Sequence, residues 1–237
     1  VPGFSAHPVR PLDALRLPPA GVPDRAAGRS FFLAPTETVA RRLLGAWFVR
    51  RWRGRPYGAR IVEVEAYLGV EDAAAHSFGG RKTDRVAPMY GPGGLLYVFA
   101  VYGMHYCANV VAGEAGTPHA VLIRAGEHPA APAALLRGPA KFCRALGIVG
   151  RDSGRDLAGG GGWEIRPDPV PARAIVRSPR VGVDYAGEAS GWPLRFSISG
   201  NPAVSRPPTR SASTGSHRRA TGAGRPGGPR SRGSERS

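Results

Sequence analysis

The sequence predicts an α+β fold, a single domain built around a curved, largely antiparallel β-sheet with peripheral helices and a protruding β-hairpin. Two observations carry that expectation. Segments rich in β-branched and aromatic residues follow one another from Ala46 to His128, bounded by Gly or Pro turns. Only PTETVARRLLG and GPAKFCRALG read clearly as helices, and both lie at the edges of this strand-rich stretch. The length of 237 residues suits one domain with tails and allows a substantial core.

Residues 1–29 are rich in Pro, Ala and Arg without apolar periodicity, and are expected to form a disordered or loosely attached arm. The folded body then runs over 30–205. Its first helix has Thr36 as N-cap, Glu37 in the first turn, and Val39, Leu43 and Leu44 at helical spacing. AWFVRRW, RIVEVEAYLG, GGLLYVFAVYG, MHYCANVVAG and HAVLIRAGEH are the expected strands. GPAKFCRALG places Pro139 at the first helical position and Gly147 just past the end, the usual asymmetry of a short helix. AIVRSPRVGV and WPLRFSISG add a further strand or two. The stretch 206–237 carries eight Arg and one Glu and lacks the apolar residues that would offset ordering, so it reads as a disordered basic tail.

The chain has 33 Lys plus Arg against 17 Asp plus Glu, a formal net charge of +16. Such an excess suits a polyanionic partner, nucleic acid first among them, although charge does not separate DNA from RNA or anionic lipid. The two cysteines, Cys107 and Cys143, sit in apolar surroundings with no CxxC and no ligand spacing nearby. They are expected as buried free thiols in a cytoplasmic protein, and no metal or cofactor site is expected. No basic segment followed by an apolar one marks a signal peptide. The charge-free run from Val86 to Gly113 is interrupted by GPGG, Gly103, His105 and Asn109, so it reads as a buried hairpin and not a membrane helix.

Strict alternation along RIVEVEAYLG puts Ile61, Glu63, Glu65 and Tyr67 on one face and Val62, Val64, Ala66 and Leu68 on the other. The second set is apolar and reads as the core face. The glutamates then fit a solvent-facing sheet surface, or a site. Side chains at i and i+2 lie about 7 Å apart but project in parallel. They therefore cannot flank a glycosidic bond from opposite sides, and one carboxylate acting on water beside an aromatic platform is easier. Arg124 lies inside an apolar strand and needs a carboxylate or phosphate beside it, with Glu63 or Glu65 as the natural partner. Tyr97 and Phe99 share one side of their strand, and Tyr102 falls at the hairpin tip beside Gly103, Met104 and His105. An exposed aromatic there serves a partner interface, lids a core, or acts as a minor-groove wedge. His76 closes a turn before the basic loop of Arg81, Lys82 and Arg85, whereas His119 and His128 have no partner spacing to promote them.

Taken together, ARRLLG, RIVEVEAYLGVEDAAAHSFGGRKT, YVFAVYGMHYCANV, VLIRA, GPAKFCRALGI, PRVGV and PLRFSISGNPAVS, in that order from Phe31 to Ser205, resemble the 3-methyladenine DNA glycosylase family of the alkyladenine type. The pattern EAYLG-x-ED-x-AAHS followed by YGM-x-x-C-x-N is highly specific. The resemblance implies a monofunctional, monomeric base-excision enzyme acting on double-stranded damaged DNA. Such an enzyme flips an altered purine out of the duplex and hydrolyses its N-glycosidic bond. By the same resemblance Glu65 activates the water and Arg124 lies beside water and phosphate. Tyr67 and His76 sandwich the base, Phe99 stands where many members have Tyr, and Asn109 excludes guanine. Tyr102 fills the vacated stack, and Arg81, Lys82, Arg85 and Lys141 are the candidates for DNA backbone contact. A cationic alkylated purine leaves readily, so a water-activating base and an electron-rich stacking pocket suffice without a metal. No lysine accompanies Glu65, which argues against a Schiff-base lyase step. The competing readings are a non-catalytic DNA- or RNA-binding protein and a hydrolase of free nucleosides.

Overall fold

A computed structural model describes residues 10–18 and 20–207. The expected 206–237 tail therefore lies almost wholly outside the described residues. Eight strands form one antiparallel sheet: β1 (Trp47–Trp52), β2 (Arg55–Tyr67), β3 (Leu96–Val101), β4 (His105–Ala112), β5 (His119–Glu127), β6 (Trp163–Arg166), β7 (Ile175–Ser178) and β8 (Arg195–Ile198). The strand order is β3-β4-β5-β2-β1-β6, with β8 pairing to the second half of β2 and β7 to β8. The long strand β2 is thus shared. Its first half pairs with β1 and its second half with β8, while β5 runs along its other edge.

Three helices flank the sheet: α1 (Arg10–Asp13), α2 (Thr36–Leu43) and α3 (Pro139–Leu146). The main core collects Val39 and Leu43 from α2, Phe142 and Leu146 from α3, and Phe48, Ile61, Val64, Val98, Val110 and Ile123 from the strands. In α3, Pro139 opens the helix and Gly147 ends it in the left-handed region (φ 64°), as its sequence predicts. In α2 the cap is Pro35, not Thr36, whose hydroxyl inside the first turn instead hydrogen-bonds His119 Nδ1 at 2.8 Å.

Two further expectations change, and one strand is present where none was expected. Residues 10–29 are not loose where described. Leu15 is fully buried, Arg16 bridges to Tyr57, the Ala27 N–H donates to Ile165, and Arg29 pairs with Asp156. Scattered apolar residues without periodicity are enough to dock an extended segment. Strict alternation also fails in β2, because the pairing with β5 shifts register between Ile61 and Val64. Ile61 accordingly joins Val64 and Ala66 in the main core, while Val62 packs with Ala125 and Ala203. Finally, Trp163–Arg166 forms β6 at the sheet edge, where the preceding glycine run conceals a strand signal.

Candidate active site

The register of the sheet builds the site. Tyr97 on β3 lies opposite Asn109 on β4, Asn109 opposite Leu122 on β5, Leu122 opposite Glu65 on β2, and Glu65 opposite Arg195 on β8. Paired residues in an antiparallel sheet share a face, so these five side chains form a row across it. Two residues to one side of this row Phe99 pairs with Cys107, and two residues to its other side Tyr67 pairs with Ala120. Above this face is a cavity of about 300 Å³ walled by Tyr67, His76, Tyr97, Phe99, Asn109 and Arg124.

The solvent-facing reading of the two glutamates is overturned, since Glu63 and Glu65 are both 0% exposed. Each survives burial because donors surround it. Glu65 Oε1 accepts the Val181 N–H at 2.7 Å, and Oε2 accepts the Tyr67 hydroxyl at 3.0 Å and Arg124 Nη1 at 3.2 Å. Glu63 Oε1 accepts Arg124 Nε, Arg195 Nη1 and the Ser205 hydroxyl, and its Oε2 accepts the Ser205 N–H. Two carboxylates and two guanidiniums thus interlock with no net charge. Arg124 bridges both glutamates and still reaches the cavity wall.

Burial raises the Glu65 pKa above its ordinary value, opposed by Arg124, the Val181 N–H and the Tyr67 hydroxyl. The Tyr67 phenol is pushed up as well, by burial first and by the Glu65 charge second. It therefore stays protonated and donates.

The aromatic walls are held as firmly. His76 Nδ1 lies 2.9 Å from the Tyr97 hydroxyl, and its ring meets Phe99 edge-on at 4.4 Å. Burial lowers the His76 pKa, with Arg85 and Arg81 adding to it, so the imidazole is neutral at pH 7. Burial raises the Tyr97 phenol to about 12, which keeps its proton available to His76. Asn109 Nδ2 donates to the Tyr97 carbonyl at 3.1 Å, fixing the cavity floor.

Sequence reasoning gave no role to Arg180, within PRVGV, or to Asp72. The two form a bidentate pair in which both side chains are fully buried. The Arg180 guanidinium stacks 4.8 Å from the Tyr67 ring centroid and donates to the carbonyls of Ala66 and Ala189. Asp72 accepts the N–H groups of Leu68 and Ala74, which shapes the loop leading to His76. Arg180 also precedes Val181, the backbone donor to Glu65. An unusual demand on the sequence was present, an Asp and an Arg among small apolar residues, but their pairing spans 108 positions and no local pattern shows it.

Tyr102 is 91% exposed at the β3–β4 tip, with Met104 beside it. Its backbone is left-handed (φ 51°), as is Gly103 (φ 69°), and the Met104 N–H closes the turn on Val101. Arg81, Lys82, Arg85 and Lys141 are exposed. Arg85 lies 5.5 Å from the Phe99 ring centroid and donates to Ala100, which ties the basic loop to the hairpin. His128 bonds Arg16 and Ala130, a structural role like that of His119. Both cysteines are free and buried, Cys107 in the cavity wall. Among the described residues no group of three or more His, Cys, Asp or Glu could hold a metal, and no helix is long and apolar enough to cross a membrane.

A family model described as methylpurine-DNA glycosylase matches residues 30–202, which span the sheet, the cavity and the tip. The chain belongs to the methylpurine-DNA glycosylase family. Among relatives, a protein of Desulfitobacterium hafniense provisionally named a 3-methyladenine DNA glycosylase is 43% identical, covering 75% of this chain and 97% of that protein. Proteins of Anaeromyxobacter dehalogenans and Bacillus cereus with the same provisional name are 46% and 39% identical, covering 78% and 75% of this chain and 87% and 97% of their own lengths. The span matched to the family takes in the cavity walls, both glutamates and their arginines, and stops just short of Ser205, the hydroxyl partner of Glu63.

Proposed function

We propose that this methylpurine-DNA glycosylase family member hydrolyses the N-glycosidic bond of alkylated or deaminated purines flipped out of duplex DNA. The observation that carries the reading is the position of Glu65, directly behind an aromatic cavity and surrounded by donors that favour its charged form. The flipped base enters between Tyr67 on one side and His76 with Phe99 on the other. Aromatic faces attract a base that already carries positive charge. With that charge the base leaves readily, and the chain must supply only a placed, activated water.

Glu65 takes the proton of a water aimed at C1′ of the deoxyribose. Arg124, shared with Glu63, keeps the carboxylate ionised and offers a charge toward the sugar phosphate. The buried pair of Glu63 and Arg195 holds Arg124 in place, so it does not collapse fully onto Glu65. Neutral His76 presents a ring nitrogen to the base edge without repelling a cationic purine. Phe99 stacks but adds no hydroxyl, so recognition at that wall is by shape and not by hydrogen bonding. Tyr102 enters the space that the purine leaves, and Arg81, Lys82, Arg85 and Lys141 contact the phosphates. No lyase step is expected, because Glu65 has no lysine beside it.

The test is release of free base from duplexes containing 3-methyladenine, 7-methylguanine or hypoxanthine, followed by alkali to reveal abasic sites. Base release with strand breaks only after alkali supports the reading. Tight duplex binding with no release from any of the three would favour the non-catalytic DNA-binding alternative.

A further inference from the structure

The β1–β2 hairpin ends in Arg51, Trp52, Arg53, Gly54 and Arg55, five consecutive exposed residues. Arg53 holds a left-handed backbone (φ 48°) followed by Gly54 (φ 74°), so the turn is tight and its side chains fan outward. Trp52 is 40% exposed and rests on a fixed support. The Arg50 guanidinium lies between the Trp52 and Trp163 rings, at 4.8 and 4.7 Å, and donates to the Leu146 and Gly147 carbonyls at the end of α3. An aromatic platform held by a buried arginine and flanked by three free arginines is a costly arrangement for a solvated turn.

Its position relates it to the cavity. Antiparallel pairing puts the start of β4, the end of β5, the start of β2 and the end of β1 at one end of the sheet. The Tyr102 and Arg53 tips therefore project from the same end. They are separated by about three strand spacings sideways, about 15 Å, and by up to about 20 Å along the strands. Segment 146–152 connects them, with the α3 end on Arg50 and Gly150 against the Tyr106 ring of β4. Exposed Arg151 lies on that connection. Arg51, Arg53, Arg55 and Arg151 have no carboxylate partner among the described residues.

We infer that the RWRGR tip is a second contact to the phosphate backbone of the duplex whose altered base the cavity takes, roughly 25 Å from Tyr102. That spacing is about seven base pairs at about 3.4 Å each. The inference rests on the glycosylase reading for the identity of the duplex, and its test separates the two.

The full chain is compared with the triple variant Arg51→Gln, Arg53→Gln, Arg55→Gln, whose substitutions are all exposed and leave Arg50 and Trp52 in place. Affinity is measured over a range of salt for undamaged duplexes of about 30 and about 7 base pairs, and single-turnover base release is measured at saturating enzyme. The inference expects the slope of log affinity against log salt on the long duplex to become shallower by about 2 to 3, at about 0.9 for each phosphate that the variant no longer neutralises. It also expects a smaller change on the short duplex, which at best only just spans the two tips, and unchanged release once bound. The basic tail is present in both proteins and cancels. An unchanged slope on the long duplex, or a weakening confined to single-stranded RNA or to vesicles of anionic lipid, overturns the inference. Absence of base release in both proteins would refute the glycosylase reading alone, since the salt slope is read without it.

Discussion

The role proposed for Glu65 sets two requirements against each other. A carboxylate taken wholly out of water is driven toward its neutral form, whereas a water-activating base must be charged. Three donors from three separate elements, β5, the β2 strand itself and the loop at Val181, oppose the burial. The balance still leaves the pKa raised. Base release should therefore fall away on acidification at a pH above the ordinary glutamate value of 4.5. Because Arg124 acts in the lowering direction, Arg124→Gln should move that acid limb to higher pH. A pH profile of single-turnover release checks both, and a limb below pH 4.5, or one that moves downward in the variant, would contradict this account. Arg180 sets the same residue's surroundings from behind, through Tyr67 and Val181. Removing it leaves Asp72 buried without its partner, so Arg180→Met should cost about 3–5 kcal/mol of stability, measured by urea unfolding. A cost under about 1 kcal/mol would mean that the pair is dispensable.

Among the elements, the β3–β4 hairpin and strand β2 decide most. The hairpin was legible because Tyr97, Phe99 and Tyr102 fall where alternation and the Gly103 break place them. Tyr102 nonetheless occupies a left-handed conformation that an aromatic residue adopts only at a cost. Asn tolerates that conformation. Tyr102→Asn should thus leave thermal stability unchanged or slightly higher, while lowering base release from duplex DNA by about tenfold or more and release from single strands much less. Equal reductions on both substrates would mean that Tyr102 contacts the base and does not wedge the stack. Strand β2 was legible as a strand but not in its facing. A register shift involves no unusual residue, so Ile61 carries no local mark of the face it takes. The burial of both glutamates depends on Arg124, Arg195 and Ser205, up to 142 positions away. Only Arg124 announced itself, as a cation within an apolar run.

Over the whole molecule, the sheet is continuous from the β3 edge to β6, and one end of it carries both exposed tips. The charge follows this division. The interior neutralises Arg124, Arg195 and Arg180 with Glu63, Glu65 and Asp72, whereas the arginines of the RWRGR tip and of the 81–85 loop have no carboxylate partner among the described residues. Net charge alone pointed to a polyanion, but could not separate interior arginines that hold the site from surface ones that meet a partner. The N-terminal segment was illegible for a related reason. Its docking on β2 and β6 uses single apolar residues such as Leu15 and backbone bonds, neither of which has a period.

The central claim is that Glu65 activates the water while the rest of the site binds DNA and the flipped base. The most direct measurement compares wild type with Glu65→Gln on one lesion-containing duplex, recording base release under single-turnover conditions and duplex affinity in the same buffer. Gln keeps the shape and a carbonyl acceptor for Tyr67 or Val181 but cannot take the proton. The account predicts that release falls by at least about a thousandfold, with duplex affinity within about threefold of wild type. Release within about tenfold of wild type, from a variant that binds normally, would contradict it.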